Sequence, residues 1–163
     1  MLSQVTETHT KFSMDNLQIE EYSVQYQQQV KDLVISIHEE FGFPYDFKLD
    51  YDLENPGEFY NNAGGIFYVL ISSELIVGTV AIKKINNEIG ELKRMYLLKE
   101  YRGQGWGSKL LDRVINFCKE KRFKQIILDT NIKQIEAQKL YQKKGFKIMK
   151  TGENTIFMVL NLE

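Results

Sequence analysis

The segment Y-R-G-Q-G-W-G-S-K-L-L, from Tyr101 to Leu111, carries three glycines at alternate positions between a strand pattern and a helix pattern. Glycine lets the backbone turn and expose consecutive N–H groups, and the helix that follows adds the positive end of its dipole. Together these features predict an anion-binding loop. Gly103, Gly105 and Gly107 do not have the G-x-G-x-x-G spacing of a dinucleotide site, which disfavours a nicotinamide cofactor. A glycine turn without a ligand is the alternative.

Patterns on both sides of this segment predict one mixed sheet with helices on its faces. Apolar and β-branched runs predict strands at 17–22, 66–71, 75–82, 89–98, 126–129, 146–149 and 156–162. Helical spacing predicts four helices: from an N-cap at Ser23 to Phe41, a short one opening at Pro56, one after Gly107 that ends by Arg122, and one ending at Gly145. The predicted class is therefore α/β, an α+β mixed sheet of about seven strands flanked by about four helices.

The charge balance and the hydropathy of the chain exclude several classes of partner. With 21 basic and 22 acidic side chains, the net charge is −1, so no overall field attracts nucleic acid or an anionic membrane. No apolar run approaches the ~20 residues of a membrane span, and residues 1–11 lack the apolar core of a signal peptide. We expect a single cytoplasmic domain over residues 1–163, with residues 1–14 as a loose N-terminal tail.

Cysteine and histidine usage predicts neither a disulfide nor a metal site. Cys118 is the only cysteine, and it falls on the apolar stripe of a predicted helix, which favours packing over reactivity. His9 and His38 are far apart and have no metal-ligand spacing, so we expect no bound metal and interpret both as surface or helix-face residues.

Two motifs in the second half of the chain resemble one known family. The segment E-L-K-R-M-Y-L-L-K-E-Y-R-G-Q-G-W-G-S-K-L-L contains R/Q-x-x-G-x-G/A, met by Arg102, Gly105 and Gly107. Downstream, A-Q-K-L-Y-Q-K-K-G-F matches A-x-x-L-Y-x-x-x-G-F. Their order and separation, from Glu91 to Phe146, resemble the GNAT superfamily of N-acetyltransferases. The predicted order of elements is also similar to the fold of that family.

The resemblance implies acetyl-coenzyme A as cosubstrate and assigns the residues that would bind it. The backbone of the glycine loop would hold the pyrophosphate through Arg102, Gly103, Gln104, Gly105, Trp106, Gly107 and Ser108. The preceding strand would splay from its neighbour and pair with the pantetheine arm through Met95, Tyr96 and Leu97, with the Leu97 N–H polarising the thioester carbonyl. Where the family often has a coenzyme-binding asparagine, this chain has Gln134, so the contact falls to Gln134 or to nearby Asn131.

The same resemblance implies two catalytic residues. Glu91 matches the position of the general base in several family members, and Tyr141 matches the acid that protonates the leaving thiolate. A solvent-facing strand-end glutamate and a packed helical tyrosine are the structural alternatives. Because no cysteine or serine sits in a recognisable nucleophile constellation, we predict direct transfer in a ternary complex.

The acceptor is the least constrained part of the prediction. A primary amine of a small molecule or peptide is expected, while a noncatalytic acyl-coenzyme A sensor is the alternative from another class. Residues 41–60 combine aromatic and acidic side chains that could receive a cationic amine, or that form a solvated acidic loop: Phe43, Tyr45, Tyr51, Phe59, Asp46, Asp50, Asp52 and Glu54. Strand edges make a homodimer possible.

Overall fold

The computed structural model describes residues 16–163, so the predicted tail of residues 1–14 lies outside the described part. The strands are β1 (Leu17–Glu21), β2 (Ile66–Ser72), β3 (Leu75–Lys84), β4 (Ile89–Leu97), β5 (Gln125–Asn131), β6 (Lys147–Thr151) and β7 (Thr155–Asn161). The α-helices are α1 (Gln27–Phe41), α2 (Pro56–Phe59), α3 (Trp106–Glu120) and α4 (Ile135–Lys143). The described residues thus confirm the predicted fold class of seven strands and four helices.

The strands form one sheet in the order β1-β2-β3-β4-β5-β7-β6. Neighbours run antiparallel except for β4 and β5, which are parallel and are connected through α3. Helix α1 packs on one face of the sheet, in the same core cluster as Phe67 and Val69 of β2. Helix α3 packs on the other face, in the cluster that contains Tyr68 and Leu70. Because both faces of β2 are buried, its sequence is continuously apolar rather than alternating.

The helix boundaries differ from the prediction at two N-termini. Ser23 makes no capping hydrogen bond, because a turn of 3-10 helix at Val24–Tyr26 separates it from the first residue of α1. Helix α3 begins earlier than predicted, at Trp106, since Gly105 itself is the N-cap with φ of 91°. Trp106, Gly107 and Ser108 of the glycine loop therefore belong to the first turn of α3. The C-terminus of α1 is as predicted, with Gly42 in the left-handed region.

The sheet opens between β4 and β5. Their parallel pairing is limited to Ile89 with Gln125, Gly90 with Ile126 and Glu91 with Ile127, after which the strands diverge. On its other side β4 stays paired with β3, but the register shifts between Thr79 and Ala81. The bulged residue is Arg94, which has a positive φ of 53° and whose carbonyl accepts a hydrogen bond from the Thr79 hydroxyl at 2.7 Å. The strand separation expected from the resemblance is present.

Candidate active site

A cavity of about 450 Å³ lies where β4 separates from β5, bounded by the glycine loop, the C-terminal turn of α1 and the start of α4. Nine of the residues predicted to bind a coenzyme line it: Met95, Tyr96, Leu97, Arg102, Gly103, Gly105, Gly107, Ser108 and Gln134. The fold thus brings together segments that are about 40 residues apart in sequence, from Met95 to Gln134.

The remaining predicted coenzyme residues lie beside the cavity rather than in its wall. Gln104 donates its side-chain amide to the Glu100 carbonyl at 3.0 Å. Trp106 begins α3, with the Lys109 ammonium 4.2 Å from its ring centroid. The Asn131 side chain accepts from the Lys133 N–H at 2.9 Å and so stabilises the turn before α4. Of the two amides considered, Gln134 is the one at the cavity.

The backbone of β4 presents polar groups to the gap. The Leu98 N–H donates to the Val77 carbonyl of β3 at 2.9 Å. Since backbone groups alternate in direction along an antiparallel strand, those of Leu97 point away from β3. The Leu97 carbonyl accordingly accepts a hydrogen bond from the Arg102 Nε at 2.8 Å. The Leu97 N–H has the same outward direction, towards the space between β4 and β5.

The glycine loop depends on backbone conformation at two positions and on space at a third. Gly103 and Gly105 have φ of 73° and 91°, and a Cβ added to either would meet no atom within 4 Å. A Cβ on Gly107, in contrast, would lie 3.2 Å from the Leu140 side chain. Gly107 therefore permits the close approach of α3 and α4.

Arg102 connects the glycine loop to α1. Its guanidinium donates to both carboxylate oxygens of Glu40, at 2.6 and 2.8 Å, and lies 5.9 Å from the centroid of the Phe41 ring. These hydrogen bonds lower the pKa of Glu40. Sequence analysis missed Glu40, because a glutamate on the exposed face of a helix carries no local signal of a partner 62 residues away.

Tyr141 is buried in the core and is not among the residues that line the cavity, although Ala137 and Leu140 of the same helix are. Its ring packs against Phe146 with centroids 5.8 Å apart. Burial, with a smaller contribution from Tyr96, raises the pKa of Tyr141, so the side chain is a neutral phenol at physiological pH. A neutral phenol retains the proton that a general acid must supply.

Glu91 lies outside the residues that line the cavity. It occupies the last position at which β4 pairs with β5. Its side chain is 22% exposed, and its carboxylate is 3.7 Å from the Lys93 ammonium. The Glu91 carboxylate therefore does not form part of the cavity wall.

A buried ionic cluster occupies the region that was predicted to be a solvated acidic loop or a cation-binding site. The Arg94 guanidinium donates to Asp50 at 2.9 Å and to Asp52 at 2.6 and 2.8 Å. Burial opposes ionisation of Asp52, but hydrogen bonds from Arg94 and Tyr60 outweigh it and lower the pKa of the carboxyl. The solvated-loop interpretation is wrong for Asp50 and Asp52, because both carboxylates are buried and share hydrogen bonds from one internal arginine.

Asp46 and Glu54, the other two candidate carboxylates from the sequence, also have internal partners. The Asp46 carboxylate accepts from the backbone N–H groups of Lys48 and Leu49, at 2.8 and 3.1 Å. Glu54 accepts from Lys31 at 2.7 Å and from the Tyr45 hydroxyl at 3.0 Å. The carboxylates of residues 46–54 therefore hold the segment together.

His38 lies on α1, as the helix-face interpretation expected, but its side chain is buried, so the surface alternative is wrong. Its Nε2 lies 3.0 Å from the Tyr96 hydroxyl. Its Nδ1 is buried and has no hydrogen-bond partner within residues 16–163. Burial lowers the pKa of His38, while Asp50 and Asp52 partly oppose this effect. The apolar spacing of α1 did not reveal this contact, because Tyr96 is 58 residues away.

Metal-ligand clusters and membrane-spanning helices are both absent from the part of the chain that the structure describes. Across residues 16–163, no group of three or more histidine, cysteine, aspartate or glutamate side chains could hold a metal ion. No helix within that same range has the length and apolar character needed to cross a membrane.

Comparison with known proteins matches most of the chain to one family. The family model described as "Acetyltransferase (GNAT) family" covers residues 15–146. Human N-acetyltransferase 8B is 33% identical over 115 residues, which are 67% of this chain and 50% of that protein. The chain spans about half the length of the curated relatives that it matches.

Solved structures show the same fold. An acetyltransferase of the GNAT family from Staphylococcus aureus Mu50 has a TM-score of 0.85 and 35% identity, covering 90% of this chain and 99% of that one. The PaiA N-acetyltransferase of Thermoplasma acidophilum, solved in complex with coenzyme A, has a TM-score of 0.75 and 20% identity, with coverage of 90% and 99%. At this lower identity the likeness concerns the fold.

Proposed function

This chain belongs to the GNAT acetyltransferase family, and on that premise we propose that it transfers the acetyl group of acetyl-coenzyme A to a primary amine of a small molecule or peptide. The observation that carries the proposal is the gap between β4 and β5, which faces the glycine loop at the start of α3 across one cavity. This arrangement provides N–H groups for a diphosphate at one end and an unpaired strand edge at the other.

The glycine loop would hold the pyrophosphate of the coenzyme. The N–H groups from Gly103 to Ser108 surround the N-terminus of α3, where the helix dipole favours an anion. Gly105 precedes this helix in a left-handed conformation that orients the loop backbone. Backbone dipoles thereby explain how a chain with net charge −1 would bind a polyanion.

The free edge of β4 would align the pantetheine arm and the thioester. Met95, Tyr96 and Leu97 follow the bulge and line the cavity. An extended arm pairing with this edge would place the thioester carbonyl near the Leu97 N–H. That N–H would stabilise the negative charge that develops on oxygen when the amine adds. The coenzyme supplies an acyl group already activated as a thioester.

Tyr141 would protonate the leaving thiolate. Its raised pKa keeps the proton on the phenol until the thiolate is expelled. Glu91 is the candidate base from the family resemblance, and its position outside the cavity wall means that it would act through water. The amine would attack the thioester directly in a ternary complex, since Cys118 is fully buried and its thiol pKa is raised to about 12.

A thiol-release assay with acetyl-coenzyme A tests the proposal. The panel of acceptors should include arylalkylamines, amino acids, polyamines and peptide N-termini, with acetylated products identified by mass spectrometry. Gly105→Glu serves as the inactive control, because a carboxylate in the loop would repel the diphosphate. If coenzyme binds but no amine is acetylated, the chain is an acyl-coenzyme A sensor. A kinetically competent acetylated side chain would refute the ternary complex.

Tyr141→Phe tests the assignment of the acid. We expect kcat to fall by about 10²- to 10⁴-fold, which is the usual contribution of a general acid. Affinity for acetyl-coenzyme A, measured by calorimetry, should be unchanged. Tyr22→Phe is the matched control, because it also removes a buried phenol hydroxyl, but from a ring that packs in the core under α1, whereas Tyr141 packs in the core under α3. Equal turnover of the two variants would exclude Tyr141 from the proton transfer.

A further inference from the structure

We propose that Tyr96 and His38 form a proton relay that takes the proton from the acceptor ammonium group. The inference rests on the acetyl transfer proposed above and identifies a base other than Glu91. It is based on the hydrogen bond between the Tyr96 hydroxyl and Nε2 of His38. The other ring nitrogen of His38, Nδ1, is buried without a partner among residues 16–163.

Tyr96 lies between the cavity and α1. Tyr96 immediately precedes Leu97, whose N–H would polarise the thioester. Because successive side chains of a strand point to opposite faces, the Tyr96 side chain lies on the opposite face of the sheet from those of its neighbours. Met95 and Leu97 accordingly pack with the core under α3, whereas Tyr96 packs with the core under α1. An acceptor reaching the thioester from the α1 side would therefore pass the Tyr96 side chain.

His38 provides a site where a proton can be stored. The Nε2 of His38 is 3.0 Å from the Tyr96 hydroxyl, and the two rings meet edge to face with centroids 5.6 Å apart. An unpaired buried nitrogen such as Nδ1 costs free energy and is unusual in a folded protein. Among residues 16–163, the Tyr96 hydroxyl is therefore the partner through which the ring can exchange a proton, by way of Nε2.

Four groups determine whether the His38 ring can accept a proton. Burial keeps the imidazole neutral, and the Arg94 guanidinium reinforces this effect on the pKa. Asp50 and Asp52 favour the imidazolium and so limit the free energy required to form it. Tyr96 donates or accepts the hydrogen bond according to the tautomer. At neutral pH the ring is therefore uncharged, and the two carboxylates reduce the free-energy cost of protonating it.

The relay transfers one proton over two hydrogen bonds. An N–H bond of the acceptor ammonium breaks, and its proton moves to the Tyr96 oxygen. The original Tyr96 proton moves to Nε2 of His38, which becomes an imidazolium with Nδ1 also protonated. The acceptor is left as a neutral amine with a free electron pair that can attack the thioester. The imidazolium returns its proton to water after the product leaves.

Turnover by His38→Gln, Tyr96→Phe and the double variant tests this relay. We expect kcat/KM for the best amine to fall about 100-fold at pH 7, with unchanged affinity for acetyl-coenzyme A. The loss should shrink as pH rises, and it should be smaller for acceptor analogues of lower amine pKa, which need no base. The double variant should be no worse than either single variant, because both changes interrupt one path.

Two control variants distinguish the relay from a general loss of core packing and from proton transfer by Glu91. Tyr22→Phe removes a phenol hydroxyl from the same core and should keep the pH profile of the wild type. Glu91→Gln tests the alternative base. If Glu91→Gln alone reproduces the pH-dependent loss, or if the His38 and Tyr96 variants lose activity equally at every pH, the relay is wrong. If wild-type protein acetylates no amine at all, the proposed function fails and the relay fails with it.

Nitrogen NMR tests the required tautomer without an acceptor. The sequence has two histidines, so spectra of the wild type and of His38→Gln assign the ring of His38. At pH 7 we expect a neutral ring with a proton on Nδ1 and none on Nε2, which then accepts from Tyr96. A proton on Nε2, or a charged ring at this pH, would overturn the relay even if the chain is an active acetyltransferase.

Discussion

Replacement of Arg94 by methionine tests the energetic role of the buried ionic cluster. The side chains of Arg94, Asp50 and Asp52 are 7%, 7% and 4% exposed, so the substitution would leave two buried carboxylates without a cation. Removing one partner of a buried ion pair costs about 3–5 kcal/mol. For a chain of this size each kcal/mol lowers Tm by about 2–4 °C, so Tm should fall by roughly 6–20 °C.

The pH dependence of this loss gives a second test. In the wild type the pKa of Asp52 is below its unfolded value, so its stabilising contribution is present above that value and is lost as pH falls through the folded pKa. Without Arg94, burial would raise the folded pKa of Asp52 above the unfolded value. Protonation in mild acid would then favour the folded variant, so its deficit relative to the wild type should narrow between pH 7 and pH 4.

Urea denaturation followed by circular dichroism, at pH 7 and at pH 4, measures both effects. Lys124→Met is the matched control, because Lys124 forms an ion pair of 2.7 Å with Glu88 while both side chains remain 60% exposed or more. Exposed pairs contribute less than about 1 kcal/mol. Equal losses for the two variants, or a loss for Arg94→Met that is the same at both pH values, would refute this account of the cluster.

Two further predictions concern the glycine loop and the cysteine. Gly105→Ala should lower the free energy of unfolding by about 1–2 kcal/mol, because alanine disfavours the left-handed backbone at this position. Calorimetry should also show weaker binding of acetyl-coenzyme A. The control Gly152→Ala, in an exposed turn, should change neither quantity. Since burial raises the pKa of Cys118 to about 12, folded protein should resist a thiol reagent at pH 8 and react only after unfolding; rapid labelling of native protein would contradict this expectation.

Features with local periodicity could be predicted from the sequence. The glycine loop, the apolar stripe of α3 and the three-stranded meander of β2, β3 and β4 depend on neighbouring residues, and the structure contains each of them. The gap between β4 and β5 was accessible only through family resemblance, because residues 89–91, which pair with β5, and residues 92–97, which do not, both mix apolar and charged side chains. Nothing in residues 92–97 signals the loss of a neighbouring strand.

Features made by distant polar side chains could not be predicted. Arg94 follows Lys93 in a strand, and both resemble solvent-facing cations until the bulge turns Arg94 inward to partners 42 and 44 residues away. The Asp50 and Asp52 carboxylates similarly resemble those of an exposed loop. Periodicity reports which side chains are apolar, but it does not report which charged side chains pair with one another in the interior.

The buried cluster also constrains how the acceptor can be recognised. Arg94 holds a left-handed backbone, which costs a residue other than glycine roughly 1–2 kcal/mol. The hydrogen bonds from Arg94 to the Asp50 and Asp52 carboxylates, and from Thr79 to the Arg94 carbonyl, offset this cost and hold the bulge that precedes the cavity-lining part of β4. A cationic acceptor that displaced Arg94 from these carboxylates would remove the support of the strand on which the proposed acetyl transfer depends.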